Sequence, residues 1–119
     1  MAVITYGMGV HWAREVMATL GHIHADILDL RTLLPWDKEA VASTVQKTNR
    51  VIILHEDTLT GGVGAEISAW INENCFNYLD APVIRVASLD TPIPFAPTLE
   101  SNFLPVGRLK NRIEELMAY

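Results

Sequence analysis

Short apolar runs alternate along this chain with longer segments of helical periodicity. The run Val51-Ile52-Ile53-Leu54 is apolar at consecutive positions, which is typical of a strand buried on both faces of a parallel sheet. The longer segments place apolar residues every three or four positions, as amphipathic helices do. The pattern predicts strands at residues 2–6, 25–30, 50–55 and 83–87, and helices at residues 8–20, 39–48, 62–76 and about 106–117.

Helix signals and prolines mark the ends of these elements. Gly21 ends the first predicted helix, and Asp37 has the side chain of a good N-cap for the second. Residues 88–105 contain Pro92, Pro94, Pro97 and Pro105 and are predicted to form one long loop. Loops of this length are commonly functional or dock on a partner.

The alternation of strands and helices implies βαβ units. We therefore expect an α/β fold, a three-layer α/β/α sandwich whose mostly parallel sheet has about four or five strands. The 119 residues are predicted to form a single domain, 1–119. Because a predicted strand begins almost at the first residue, we expect this domain to have been excised from a larger chain.

Composition narrows the range of partners. The net charge is −5 and the nine basic residues are scattered, which disfavours nucleic acid and an anionic membrane surface. No signal peptide and no apolar run of membrane-spanning length are evident. The one cysteine, Cys75, cannot form an internal disulfide and lies on an apolar helical face, so we expect a core residue and a reducing, cytoplasmic location.

The segment "HEDTLTGGVGAEI" at 55–67 raises the question of a phosphate site. Its glycines Gly61, Gly62 and Gly64 lie between a predicted strand and helix, where backbone N–H groups can bind an anion. However, no lysine completes a P-loop, and Ile67 occupies the position of the last glycine of a dinucleotide fingerprint. A tight turn with close helix–sheet packing is the simpler interpretation.

His55, Glu56 and Asp57 follow the apolar run, at the edge where open α/β sheets usually carry their sites. No second histidine or cysteine stands at metal-ligand spacing, and no G-x-S-x-G motif is present. The alternatives for His55 are an acid–base residue and a structural or interface residue.

Four blocks together resemble one family. The blocks "DLRTLLPWD" at 29–37, "HEDTLTGGVGAEI" at 55–67, "LDAPVIRV" at 79–86 and "DTPIPFAPTLESNFLP" at 90–105 are similar to the C-terminal domain of transketolase-like thiamine enzymes. The β-type chain of 2-oxoacid dehydrogenases is the nearest likeness, and within it the branched-chain (2-oxoisovalerate) enzymes. The resemblance covers nearly the whole chain.

The resemblance implies a parent enzyme that uses thiamine diphosphate and Mg to decarboxylate a 2-oxoacid and passes the acyl group to a lipoyl arm. In that family two other domains bind the cofactor, so this domain is expected to bind none and to be inactive alone. Its implied role is assembly, with His55, Glu56, Asp57, Gly61 and Gly62 at an interface. A direct catalytic role of His55 in the assembled enzyme is the alternative.

The resemblance also implies partners. These are an α-type chain or domain, a second β-type chain, and the basic peripheral subunit-binding domain of the acyltransferase, for which Asp80 and the carboxylate of Tyr119 are docking candidates. Two other functions stay open on the sequence. One is the C-terminal domain of a transketolase or deoxyxylulose-phosphate synthase, and the other is an independent α/β module that binds a small ligand.

Overall fold

The computed structural model describes all 119 residues. Strands and helices alternate, as the hydrophobic pattern predicts, and a short 3-10 turn follows the third helix at Phe76–Tyr78. The elements in chain order are β1 (Ala2–Thr5), α1 (Met8–Thr19), β2 (Asp26–Asp29), α2 (Lys38–Thr48), β3 (Val51–Thr58), α3 (Val63–Cys75), β4 (Ile84–Ser88), α4 (Pro97–Phe103) and α5 (Val106–Met117).

The four strands form one parallel sheet in the order β2-β1-β3-β4. Ile4 pairs with Leu28 of β2 on one side and with Ile53 of β3 on the other, so β1 and β3 are the central strands. The chain runs outward from β1 to β2 and then returns to the other side of β1. The direction therefore reverses between β1 and β3, the position where open α/β sheets form a crevice at their carboxyl edge.

Alternate residues of the central strands are buried on opposite faces of the sheet. Ile52 and Leu54 pack into a cluster with α1 and α5, whereas Ile53 packs into a second cluster with α2 and α3. The fold is therefore the predicted three-layer α/β/α sandwich. Helix α5 contributes three fully buried side chains, Leu109, Ile113 and Leu116, each of which stabilises the fold by about 1.5–3 kcal/mol relative to an exposed side chain.

Two local predictions are confirmed in detail. Asp37 caps α2, because its Oδ1 accepts a hydrogen bond from the backbone N–H of Ala40 at 2.9 Å. Cys75 is a buried thiol at the end of α3, and it packs in the cluster of Ile53, α2 and α3. No helix of the structure is long and apolar enough to cross a membrane.

The predicted loop at residues 88–105 is wrong in part, because it contains the helix α4. Pro97 stands in the first turn of that helix, where the fixed φ of proline and its missing N–H are tolerated. Only Phe103 of α4 is buried, so the segment has almost no apolar periodicity that would have predicted a helix.

The predicted end of β3 is also wrong. The strand extends beyond His55 to Thr58, and β4 follows it with a register irregularity between Leu54 and Thr58. His55, Glu56 and Asp57 are thus strand residues. The tight turn predicted within the segment 55–67 is confined to residues 59–62.

Candidate interface at the carboxyl edge of the sheet

The imidazole of His55 is fully buried between β3 and the first turn of α3. Gly62 and Gly64 leave the space that it occupies. A Cβ on Gly62 would lie 2.6 Å from His55 Cε1, and a Cβ on Gly64 would lie 2.5 Å from His55 Cδ2. These two glycines are therefore required by close helix–sheet packing. Gly61 has a different role, because its φ of 78° turns the chain into α3.

Neither ring nitrogen of His55 has a hydrogen-bond partner. Burial lowers the pKa of His55 because it disfavours the charged imidazolium, although the neighbouring carboxylate of Asp57 acts in the opposite direction. Tyr6, at the end of β1, lies nearly parallel to the imidazole, with ring planes 8° apart and centroids 6.4 Å apart. The imidazole of His55 is thus sealed from solvent in this chain, and its lowered pKa favours the neutral form.

Glu56 and Asp57 lie at the exposed end of β3. Together with Tyr6 and Glu100 of α4, they line a cavity of about 310 Å³ at the carboxyl edge of the sheet. Burial and the charges of Asp57 and Glu56 raise the pKa of the Tyr6 hydroxyl. Ile93, Phe103 and Leu104 supply the apolar part of the lining. This cavity, which we call the acidic cavity, therefore combines acidic and apolar side chains.

Three apolar side chains of the proline-rich segment are exposed, and one of them, Ile93, also lines this cavity. Ile93, Phe95 and Leu99 are 68%, 99% and 59% exposed, and no side chain of this chain covers them. Asp90 fixes the start of the segment, because its carboxylate accepts hydrogen bonds from Thr60 N at 2.8 Å and Thr60 Oγ1 at 2.7 Å. We refer to Ile93, Phe95 and Leu99 as the apolar stripe. An exposed apolar group of this kind is typical of a protein–protein interface.

Asp80 and Tyr119 lie at the opposite end of the sheet from His55. Asp80 is exposed in the turn before β4, and its backbone N–H donates to the carbonyl of Asn49 at 2.8 Å. Tyr119 lines a second cavity, of about 290 Å³, beside Pro82 and Val83. The structure therefore brings the chain terminus close to Pro82, two residues after Asp80, and separates Asp80 and Tyr119 from the cavity of Glu56 and Asp57.

The predicted site residues fall into two groups. The first group lies at the carboxyl edge of the sheet and consists of His55, Glu56, Asp57, Gly61 and Gly62. The second group, Asp80 and Tyr119, lies at the opposite end. Tyr6, Glu100 and Phe103 also line the cavity at the carboxyl edge and were not predicted from the sequence. Tyr6 could have been found from its position directly after a central strand, whereas Glu100 and Phe103 depend on the unpredicted helix α4.

No group of three or more His, Cys, Asp or Glu side chains is arranged to hold a metal ion.

Comparison with protein families identifies the family to which this fold belongs. The family described as "Transketolase, C-terminal domain" matches residues 1–108. The chain is a transketolase C-terminal domain. The predicted resemblance is thereby confirmed, and the match includes all four sequence blocks that suggested it.

The relatives of this transketolase C-terminal domain include 2-oxoisovalerate dehydrogenase subunits. It is 50% identical over 91 residues to "2-oxoisovalerate dehydrogenase subunit beta 2, mitochondrial" of Arabidopsis thaliana, covering 76% of this chain and 24% of that protein. It is 43% identical over 107 residues to "2-oxoisovalerate dehydrogenase subunit beta" of Bacillus subtilis (strain 168), covering 87% and 33%. The chain thus spans about a quarter to a third of the length of these curated relatives.

Among solved structures, the transketolase C-terminal domain is similar to a chain described as "Split gene transketolase, inactive beta4 tetramer". The TM-score is 0.79, the sequence identity is 21%, and the match covers 98% of this chain and 38% of that one. This likeness confirms the α/β fold. The higher identity to the dehydrogenase subunits supports the dehydrogenase branch over the transketolase alternative.

Proposed function

We propose that this chain is the C-terminal assembly domain of the β-type part of a branched-chain 2-oxoacid dehydrogenase. The parent enzyme would decarboxylate a branched-chain 2-oxoacid oxidatively and transfer the acyl group to a lipoyl arm. The relatives named 2-oxoisovalerate dehydrogenase subunit beta support this assignment. The structural observation that carries the assembly role is the uncovered apolar stripe of Ile93, Phe95 and Leu99 beside the acidic cavity.

The thiamine diphosphate and Mg of the parent are assigned to other domains. At the carboxyl edge, where this fold class usually binds ligands, the cavity carries the carboxylates of Glu56, Asp57 and Glu100. These groups would repel an anionic diphosphate. The imidazole of His55 is closed off by Gly62 and Gly64 and does not reach that cavity. The residues present there do not fit the cofactor, and we assign this chain no catalytic residue.

The partners that we propose at the carboxyl edge are the α-type chain or domain and a second β-type chain. An interface core needs apolar side chains that lose water on contact, and the stripe of Ile93, Phe95 and Leu99 provides them. The acids beside it, Glu56 and Asp57, favour a partner surface with arginine or lysine. Such a contact would also cover Tyr6, which lines the cavity beside these acids.

The acyltransferase is proposed to dock at the other end of the sheet, at Asp80 and the carboxylate of Tyr119. Asp80 is exposed, and Tyr119 lies near the start of β4, so a single small domain could contact both. The basic surface expected of the peripheral subunit-binding domain matches these anionic groups. For location, we propose the cytoplasm; the Arabidopsis relative is named mitochondrial.

Calorimetric titration of the 119-residue chain with the peripheral subunit-binding domain tests the docking assignment. We expect saturable binding that weakens with added salt and is reduced by Asp80→Asn and by deletion of Tyr119. Asp57→Asn is the matched control, because Asp57 is an exposed carboxylate at the opposite edge of the sheet. Equal losses in Asp80→Asn and Asp57→Asn would reject Asp80 as a docking residue.

A second arm tests assembly. The chain is mixed with the remaining parts of the parent enzyme, and the mass of the complex is measured by light scattering. Formation of a complex, and its loss when the stripe is made polar, supports the assembly role. A folded chain that joins no complex and restores no 2-oxoacid decarboxylation would reject it.

A further inference from the structure

Three of the six arginines in the chain line one cavity beside β4. Its volume is about 350 Å³, and it is distinct from the acidic cavity at the carboxyl edge. Arg85 belongs to β4, whereas Arg108 and Arg112 belong to α5. All three side chains are half-buried. The chain as a whole has a net charge of −5, whereas these three arginines concentrate positive charge around one cavity.

Two of these guanidinium groups have no carboxylate partner. The ion pairs of the chain are Arg31–Asp29, Lys47–Asp26 and Arg112–Glu115. Arg85 donates from Nη1 to the carbonyl of Leu59 at 3.0 Å, and Arg108 donates only to backbone carbonyls. Carbonyls satisfy donors but carry no net charge. Arg85 and Arg108 therefore have no carboxylate within ion-pair distance, although the charge of Asp90 acts on Arg85 at longer range.

The one acid in the lining, Asp90, is not an ion-pair partner of these arginines. Asp90 directs both of its carboxylate oxygens to Thr60, and it lies beyond ion-pair distance of all three arginines. Hydrogen bonds from Thr60 hold the pKa of Asp90 below its ordinary value. The carboxylate of Asp90 is thus committed to the turn before α3.

Apart from Ser88, whose hydroxyl donates to the carbonyl of Glu56, the rest of the lining is apolar. Leu59, Val86 and Leu89 face the same cavity as the arginines. A guanidinium binds carboxylate and phosphate oxygens through parallel N–H donors, and its charge strengthens those hydrogen bonds. A volume of this size suits a small molecule rather than an inorganic ion alone. Charge and apolar surface together define the class of ligand.

We infer that the cavity between β4 and α5 binds a small organic anion, in which a carboxylate or phosphate group is attached to a short apolar body. Arg85 and Arg112 contact the oxyanion, because Arg85 uses one donor on Leu59 and Arg112 is paired only at the surface. Arg108 adds charge but is held by Ala87, Asn102 and Phe103. This inference does not depend on the assembly role proposed above.

The test is a titration of the isotope-labelled 119-residue chain, followed by amide and arginine side-chain NMR signals. The probes are isovalerate, inorganic phosphate and the uncharged isovaleramide. We expect saturable shifts at residues 85–90 with at least one of the two anions and none with isovaleramide. Tighter binding of isovalerate assigns the ligand to the carboxylates, and tighter binding of phosphate assigns it to the phosphate esters.

Arg85→Gln and Arg112→Gln are each expected to weaken binding about tenfold or more, since each removes a charge-assisted hydrogen bond. Arg14→Gln is the matched control, because Arg14 is an exposed arginine of α1 that lines no cavity. Binding that falls equally in Arg14→Gln, shifts scattered over the surface, equal binding of isovaleramide, or no binding of either anion would each overturn the inference. The two variants are independent, so a folding defect in one leaves the other as the test.

Discussion

The side chain of His55 and the backbone of Gly64 are in direct contact across the sheet–helix boundary. A Cβ at position 64 would lie 2.5 Å from His55 Cδ2 and 3.2 Å from a methyl group of Ile53. The glycine-rich segment therefore serves the packing of a buried histidine. It allows α3 to approach β3 at the place where the sheet carries its largest buried polar side chain.

Gly64→Ala is expected to destabilise the fold by about 1–3 kcal/mol, because overpacking against the buried ring outweighs the gain in helix propensity. The free energy of unfolding in urea measures this effect. Gly107→Ala in α5 is the control, since a Cβ there meets no atom within 4 Å, and it should be neutral or stabilise by up to about 1 kcal/mol.

A second comparison separates contact with His55 from other effects at position 64. In a His55→Ala background, the space left by the ring should accept the methyl group, so the loss caused by Gly64→Ala becomes smaller. Equal losses in both backgrounds would show that the imidazole is not the group that excludes a side chain at position 64.

The stability of the fold should fall with acidification because of His55. Burial lowers the folded-state pKa of His55 below its unfolded value of about 6.5, so the unfolded chain binds the proton more readily. The contribution to stability is complete above about pH 6.5 and is lost as pH falls from there through the lower folded-state pKa. Urea unfolding of the wild type and of His55→Gln at several pH values checks this. The free energy of unfolding of the variant should fall less with decreasing pH in this range, and parallel pH profiles of the two proteins would contradict the prediction.

Phe95→Ser should weaken assembly without changing the stability of the isolated chain. Phe95 is 99% exposed, so the folded chain loses almost no packing, whereas a partner that buries the ring would lose about 2 kcal/mol or more if Phe95 is an interface hot spot. Sedimentation of mixtures with the remaining parts of the parent enzyme measures the loss. Phe76→Ser is the control, because Phe76 is an exposed phenylalanine at the carboxyl end of α3 and is not part of the apolar stripe. Similar effects of the two substitutions would show that the apolar stripe is not the contact surface.

Asp90→Ala should loosen the turn before α3 locally. The substitution removes both acceptors of Thr60, so amide hydrogen exchange at Thr60 should speed up while the global unfolding midpoint changes little. In the wild type, the folded-state pKa of Asp90 is lowered, so the tether is present above the ordinary aspartate pKa of about 3.9 and is lost as pH falls through the lower folded value. Unchanged exchange at Thr60 in the variant would show that its amide is protected by another group.

The sheet and its helices were predictable because each strand and each long helix carries its own hydrophobic period. The run Val51–Leu54 requires burial on both faces, and Asp37 marks the start of α2 by its capping side chain. Helix α4 was not predictable in the same way. It buries only Phe103, and its start is marked by Pro97 within a segment whose other prolines indicate a loop.

The site was predictable in its location but not in its contacts. His55, Glu56 and Asp57 were expected at the carboxyl edge, where the structure places them. That β3 continues through these polar residues is decided by pairing with β4, including the contact of Thr58 with Ser88. The cavity of arginines was invisible in the sequence, since Arg85 is more than 20 residues from Arg108 and only the packing of α5 on the sheet brings them together.

Arg108 joins the end of β4 to the end of α4, because its guanidinium donates to Ala87 in the strand and to Asn102 and Phe103 in the helix. The chain between these points, which includes most of α4, is therefore fixed to the sheet and to α5 at both ends. The exposed side chains of this segment can be substituted while Arg108 keeps both anchors in place. If the apolar stripe is the contact surface proposed above, a graft of residues 91–101 from a relative is expected to transfer partner choice without redesign of the sheet.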